Sequence, residues 1–216
     1  MKKAYISNNV IRRLPRYLRR LDELIDENVE RVSSSELGAQ MGLTPSQIRQ
    51  DFSQFDRFGQ QGYGYNVKVL RDAVANILGT KRNYSAVLVG VGNIGHALLE
   101  NFLFESQGVR FLGAFEIKPE LVGTTIGGAP IMSVSDQREF IAANDVDIAI
   151  LTVPRTEAQS VADELIDCGI KAIWNFTGVE IDTGDSGVVV ESIHFADSLL
   201  TLSYYLSDAQ DEKGNQ

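Results

Sequence analysis

The chain has 216 residues, 44% of them hydrophobic, and a formal net charge of −9 at pH 7. That length suits one large domain or two small ones, with apolar content enough for ordinary cores. No apolar run reaches membrane-span length, no signal segment opens the chain, and a single cysteine, Cys168, excludes an intrachain disulfide, so a cytoplasmic protein is expected.

The charge is unevenly divided. Residues 1–82 hold 14 Lys/Arg against 9 Asp/Glu, a net of +5, whereas residues 83–216 hold 6 against 20, a net of −14. Seven basic groups and no acid fall in the first twenty residues. A basic front on an acidic body predicts a polyanion-facing domain joined to a separate one. A merely solvated basic helix is the plainer reading of charge alone.

In residues 8–27, Ile11, Leu14, Leu18, Leu21 and Leu24/Ile25 recur at helical spacing, with Ser7 or Asn8 able to cap the start. Pro15 inside that pattern predicts a kink or a restarted helix. Ser33-x-x-Glu36 is a capping box that opens a short helix stopping near Gly42. Thr44, with Pro45 at the first helical position and Gln47 closing a second box, opens the next helix. Two short helices around a Gly-containing turn make a helix-turn-helix. Its second helix would read DNA, with Ser46, Gln47, Arg49 and Gln50 near base edges and Ile48, Phe52 and Phe55 facing inward. RFGQQGYGYNV has the content of a tight hairpin, a wing, which adds Gln61 and Tyr63 to the DNA-facing residues. Residues 67–78 predict another amphipathic helix, closed by Gly79. A winged helix-turn-helix domain is expected over 1–80; a small helical domain that binds protein would show the same helices.

From residue 84 the pattern becomes β-α-β. VLVG feeds Gly90-x-Gly92-x-x-Gly95, with Asn93 and Ile94 inside the turn, and HALLE continues as a helix. This is the dinucleotide fingerprint: a tight turn, close backbone approach to pyrophosphate, and a helix N-terminus that favours its charge. VRFLGAFE, 109–116, is a second strand ending in Glu116, 21 residues after Gly95. An acid there accepts from ribose hydroxyls and disfavours a 2′-phosphate, although Lys118 could reach that phosphate. Strands at 147–154 and 171–176 bring Thr152, Val153, Pro154 and Asn175 to the cofactor rim, where ordinary strand-end turns are the competing reading. A Rossmann-like domain binding NAD is expected over 84–191. Coenzyme A, another nucleotide or no ligand stays open as the alternative. Residues 192–207 predict an amphipathic helix, and the polar stretch 208–216 a disordered tail. Cys168 reads as a small hydrophobe at a helix end.

Catalytic groups are sparse. A hydride-transfer enzyme needs an acid/base and substrate-orienting groups. His96 and His194 are the only histidines, and neither falls in a catalytic pattern. No zinc-ligand spacing and no Walker lysine occur. A nucleotide fold without chemistry, joined to a DNA reader, predicts a sensor; a small dehydrogenase is the weaker alternative.

Residues from about 8 to 207 resemble the Rex family of bacterial redox-sensing repressors. The resemblance rests on RLPRYLRRL, RVSSSELG, SQIRQDFSQF, FGQQGYGYNV, GVGNIG, Glu116 followed by KPELVG, LTVP, CGIKAIWNF and LSYYL. It implies a homodimer that holds operator DNA when NAD+ predominates and leaves it when NADH binds, with the C-terminal helix swapped into the partner. By position it implies DNA contact for Arg49, cofactor contact for Gly90, Gly92, Gly95 and Glu116, and packing of Phe195 against nicotinamide across the dimer. Arg19 matches a residue linking the DNA domain to the cofactor site. Asn101 stands where the family has a tyrosine and His194 where it has an aspartate. Gln50, Gln61 and Gly178 also depart from the pattern. Weaker coupling of NADH binding to DNA release is expected, and an altered or lost redox response is the alternative function. No metal and no membrane partner is expected.

Overall fold

The computed structural model describes residues 6–55, 59–60 and 63–214. The chain divides into two compact units, Met1–Arg82 and Asn83–Gln216.

The first unit opens with α1 (Asn8–Ile11) and α2 (Leu14–Asp26), so Pro15 marks a restarted helix. Its ring sits in the first turn of α2, where a missing N–H costs nothing. Ser7 caps α1 only through its backbone. Strand β1 (Arg31–Val32), α3 (Ser34–Met41), α4 (Pro45–Ser53), β2 (Gly59–Gln60), β3 (Gly64–Asn66) and α5 (Val67–Leu78) follow. The Ser33–Glu36 capping box forms with both bonds, and α3 ends at Gly42. At α4 half of the expected box forms: Thr44 Oγ1 accepts from the Gln47 N–H, and no return bond from the Gln47 side chain joins it. The Gln47 side chain is exposed, so water competes for it. Val10, Leu14, Tyr17, Leu21 and Leu24, one face of α1–α2, are buried with Leu37, Ile48, Phe52, Leu70 and Val74. Strand β3 pairs antiparallel with both β1 and β2, and the β2–β3 hairpin is the wing.

The second unit is a seven-stranded sheet in the order β10-β9-β8-β4-β5-β7-β6. Its strands are β4 (Tyr84–Val89), β5 (Val109–Glu116), β6 (Thr125–Ile126), β7 (Ala129–Ser133), β8 (Ile148–Leu151), β9 (Ala172–Asn175) and β10 (Val189–Ser192). The helices are α6 (Asn93–Asn101), α7 (Gln137–Asn144), α8 (Ala158–Asp167) and α9 (Phe195–Gly214). Every neighbouring pair is parallel except β6–β7. Ser85 to Val89 of β4 are all buried, as a central parallel strand requires. From β4 the chain winds outward through β5 and β7, then returns to β8 on the other side. That reversal opens a crevice at the carboxyl ends of β4, β5 and β8, where open α/β sheets bind ligands.

Besides the two-residue strands β1 and β6, three further elements were not legible in the sequence. Pro130 interrupts the β7 pattern, α7 is short, and β10 lies in a Gly-rich polar stretch. The strands expected at 147–154 and 171–176 are shorter, at Ile148–Leu151 and Ala172–Asn175. The expected disordered tail from 208 is instead helical through Gly214. Ala, Gln, Glu and Lys there are good helix formers, and polarity alone does not end a helix.

Candidate functional site

The glycine turn leaves β4 at Gly90, whose N–H donates to Phe115 O at 2.9 Å. Gly90 has φ +94°, and a Cβ there would lie 2.9 Å from Val153 Cγ1. A Cβ on Gly95 would lie 2.3 Å from Gly90 O, so α6 can start tight against the turn only with glycine there. Thr152 Oγ1 braces the same turn, donating to Gly90 O at 2.7 Å with Val89 O 3.1 Å away. Gly92 differs. It is the N-cap of α6 at φ −77°, and a Cβ there would meet nothing within 4 Å. The fold itself does not demand a glycine at that position, and the space beside the helix end is open. No side chain caps α6, so its first-turn N–H groups are left for an anion, with the helix dipole in support.

Glu116 stands beside this turn, 5% exposed. Its Oε2 accepts from the Val91 N–H at 2.6 Å, and Oε1 accepts from Ile117 N–H at 2.8 Å and Lys118 N–H at 3.1 Å. The carboxylate therefore ties the turn to the end of β5 and retains acceptor capacity for one further donor. Asn93, Lys118 and Pro154 are exposed and Val153 is half-buried. Ile94, in the first turn of α6, is also exposed, as are Ile117 and Val134 just after the adjacent strands β5 and β7. Ile117 and Val134 suit the faces of a planar base and were missed in the sequence, where single apolar loop residues carry no signal.

Asn175 corrects the sequence expectation. It is fully buried; its Nδ2 donates to Val179 O and Ser192 Oγ, and its Oδ1 accepts from Thr177 N–H and Oγ1. All four hydrogen-bonding positions are filled by the protein, so this side chain shapes the loop after β9 and has none left for a cofactor. Phe195, first in α9, is 64% exposed, with its ring 6.5 Å from that of Phe176. A depression of about 570 Å³ beside α8 is lined by Asp163, Asp167 and Asp182 and would repel a pyrophosphate.

On the first unit, α4 turns Ser46, Gln47, Arg49 and Gln50 outward while Ile48, Asp51 and Phe52 are buried. Phe55 is half-buried against that core. Asp51, 2% exposed, receives Arg13 Nε and Nη2 at 2.7 Å each and the Tyr17 phenol at 2.7 Å. Burial, then the hydrogen bond to Asp51, push the Tyr17 phenol well above its ordinary range, so it stays a donor. The hydrogen bonds Arg13 donates to Asp51 likewise raise its pKa. This bidentate pair pins the reading helix to α1–α2, and sequence reasoning missed it. Arg49 Nη1 donates to Ser34 Oγ at 3.0 Å, and Tyr63 on the wing is 70% exposed. Gln61 lies outside the described residues.

Of the three residues expected to couple the units, Arg19 is exposed on α2. Asn101 is exposed at the end of α6, where its Nδ2 donates to Ala97 O. His194 Nε2 lies 3.1 Å from Glu180 Oε1. Glu180 thus sets a carboxylate next to His194. His96 is 46% exposed and 3.5 Å from Glu100, a surface pair on one helix.

Comparison with known proteins decides the family. A family model described as "CoA binding domain" matches residues 81–179, and one described as "Putative DNA-binding protein N-terminus" matches residues 5–53. A redox-sensing transcriptional repressor Rex of Caldicellulosiruptor bescii is 51% identical over 98% of this chain and 97% of its own. The chain belongs to the Rex family. A Rex of Clostridium perfringens is 45% identical over 95% of this chain and 97% of its own. Crystal structures of the Rex-family repressor RSP agree over the whole fold. The complex with β-NAD+ and operator DNA has a TM-score of 0.88 at 45% identity, covering 98% of this chain and 97% of RSP. The β-NADH complex has 0.89 at 42% identity, covering 99% and 100%. Membership makes this chain a transcriptional regulator and not an enzyme. Among the described residues no helix is long and apolar enough to cross a membrane, and no cluster of potential metal ligands occurs.

Proposed function

We propose that this protein binds operator DNA as a homodimer through α4 and the wing, and that NADH bound at the glycine turn releases it. One observation carries the reading: a single chain joins an exposed polar reading helix to a glycine turn whose helix end is shaped for a dinucleotide. The Rex relatives are named as redox sensors, and RSP has been crystallised with NAD+, NADH and operator DNA. A DNA target supports a cytoplasmic location.

The residues proposed for the dinucleotide are Gly90, Gly92, Asn93, Ile94, Gly95, Glu116, Lys118, Val153 and Pro154, with Thr152 bracing the turn and Phe195 reaching a partner's nicotinamide. Those proposed for DNA are Ser46, Gln47, Arg49, Gln50, Gln61 and Tyr63. The homodimer is supported by α9, whose Leu199, Leu200, Leu202, Tyr204, Tyr205 and Leu206 are each at least 60% exposed. Apolar surface of that extent on one helix calls for a cover. Two reading helices in a two-fold dimer then meet half-sites about one helical turn apart. A ligand moves such an equilibrium only by binding one arrangement better than the other.

The test is operator binding across NADH concentrations, with and without competing NAD+ at fixed salt. Release by NADH and protection by NAD+ are expected; binding indifferent to both sinks the reading. In the same titration Asn101→Tyr with His194→Asp should release DNA more sharply than the native protein. If native release is already as sharp, coupling does not depend on those positions.

Cofactor choice follows from Glu116. A carboxylate and a phosphate about 4 Å apart repel by roughly 1–4 kcal/mol between the limits of water and protein surface. NADH should therefore bind at least about fivefold more tightly than NADPH. Tighter binding of NADPH in direct titration would show that Lys118, not Glu116, governs the ribose site.

A further inference from the structure

The partnered arginines among the described residues of the first unit fall into two groups. Arg13, Arg20 and Arg71 are neutralised by Asp51, by Glu23 and Glu27, and by Asp22. Arg16, Arg31 and Arg49 are held only by neutral groups, Arg16 by the Met41 carbonyl at 2.9 Å. Arg49 donates to the Ser34 hydroxyl. Arg31 donates through Nη1 to Tyr63 O at 3.0 Å, and its guanidinium carbon lies 5.9 Å from the centroid of the Tyr63 ring. Both Arg31 and Tyr63 are exposed. Among the described residues, no carboxylate pairs with Arg31 or Arg49.

An arginine that only braces a fold gains from a carboxylate that cancels its charge. One seated on a carbonyl and an aromatic face keeps its full charge and most of its five donors directed outward, already ordered. Arg31 is in β1, the strand that joins the wing to the start of α3, with Arg31 paired to Asn66 of β3. Ser34, three residues on, is the partner of Arg49 on the reading helix. Of the arginines without a carboxylate, these two flank one β1–α3 junction, between helix and wing.

We infer that Arg31, seated on Tyr63, is a DNA-phosphate contact at the base of the wing, preset by the ring beneath it. Phosphate contacts position a protein on DNA without reading sequence. The assignment rests on the proposed DNA-binding function and adds a residue to it.

The experiment measures binding of the full chain to an operator duplex selected with the native protein and to a scrambled duplex, from about 50 to 200 mM salt. Arg31→Ala should weaken both duplexes alike, roughly tenfold, and lower the slope of log affinity against log salt by about 0.9, the value of one phosphate. Arg31→Lys should keep the slope. Tyr63→Leu should keep the slope and lose about threefold, the cost of ordering a freed arginine. An unchanged slope in Arg31→Ala, with or without weaker binding, would make Arg31 a brace for the wing. A loss confined to the operator would make it a base contact. Either result overturns the assignment. Arg49→Ala in parallel separates the two levels. If it weakens operator binding while Arg31→Ala changes nothing, only the Arg31 assignment fails. If the native chain binds neither duplex, the DNA-binding reading fails with it.

Discussion

Asp51→Ala should lower the stability of the first unit by about 3 kcal/mol, the lower end of the range for breaking a buried ion pair. The lower end applies because the Arg13 side chain is 24% exposed and can regain some water, while Asp51 is 2% exposed and cannot. The substitution also strips the Tyr17 phenol of its acceptor. Denaturant unfolding followed by far-UV circular dichroism checks this, and a loss below about 1 kcal/mol would place the pair among ordinary surface salt bridges. The double change Arg13→Leu, Asp51→Leu should recover much of the loss, since apolar groups of similar size often replace a buried pair without penalty. Tyr17 gives the alkaline side of the same cluster. Its folded pKa is raised above the ordinary 10.0. Its contribution is therefore complete below about pH 10 and is lost as pH rises through the folded value. Tyr17→Phe should remove that dependence.

Ending the chain after His194 should turn a dimer into a monomer and cost roughly 10²–10⁴-fold in operator affinity, the advantage of engaging two half-sites together. Leu199, Leu202 and Leu206 share one face of α9, while Leu200 and Tyr204 share another. Each is 60% exposed or more, so a partner must cover more than one side of the helix. Sedimentation velocity gives the oligomeric state, and operator titration of the same samples gives the affinity. Leu202→Glu with Leu206→Glu repeats the test in a full-length chain. A truncated protein that still sediments as a dimer would assign the dimer to another surface.

Local signals were legible from residues alone. The Ser33–Glu36 box, the Gly79 stop of α5, the strand 109–116 and the glycine turn depend on contacts within a turn or two, which spacing encodes directly. The family resemblance likewise came from local motifs in order. Partners distant in the chain were not legible. Asp51 is one more acid on an amphipathic helix until packing brings Arg13 and Tyr17 to it across 38 and 34 residues. Asn175 reads as a strand-end polar residue until Val179, Thr177 and Ser192 consume its amide. Glu116 reads as a ribose acid, and only the packed sheet shows it also gripping the Val91 N–H across 25 residues. Sequence by itself determined where the helices, the glycine turn and the reading edge lie, because φ/ψ preference, capping and periodicity are properties of neighbours. The tertiary structure alone decided which polar groups remain for a ligand, because each group's hydrogen bonds are allotted only when distant segments meet.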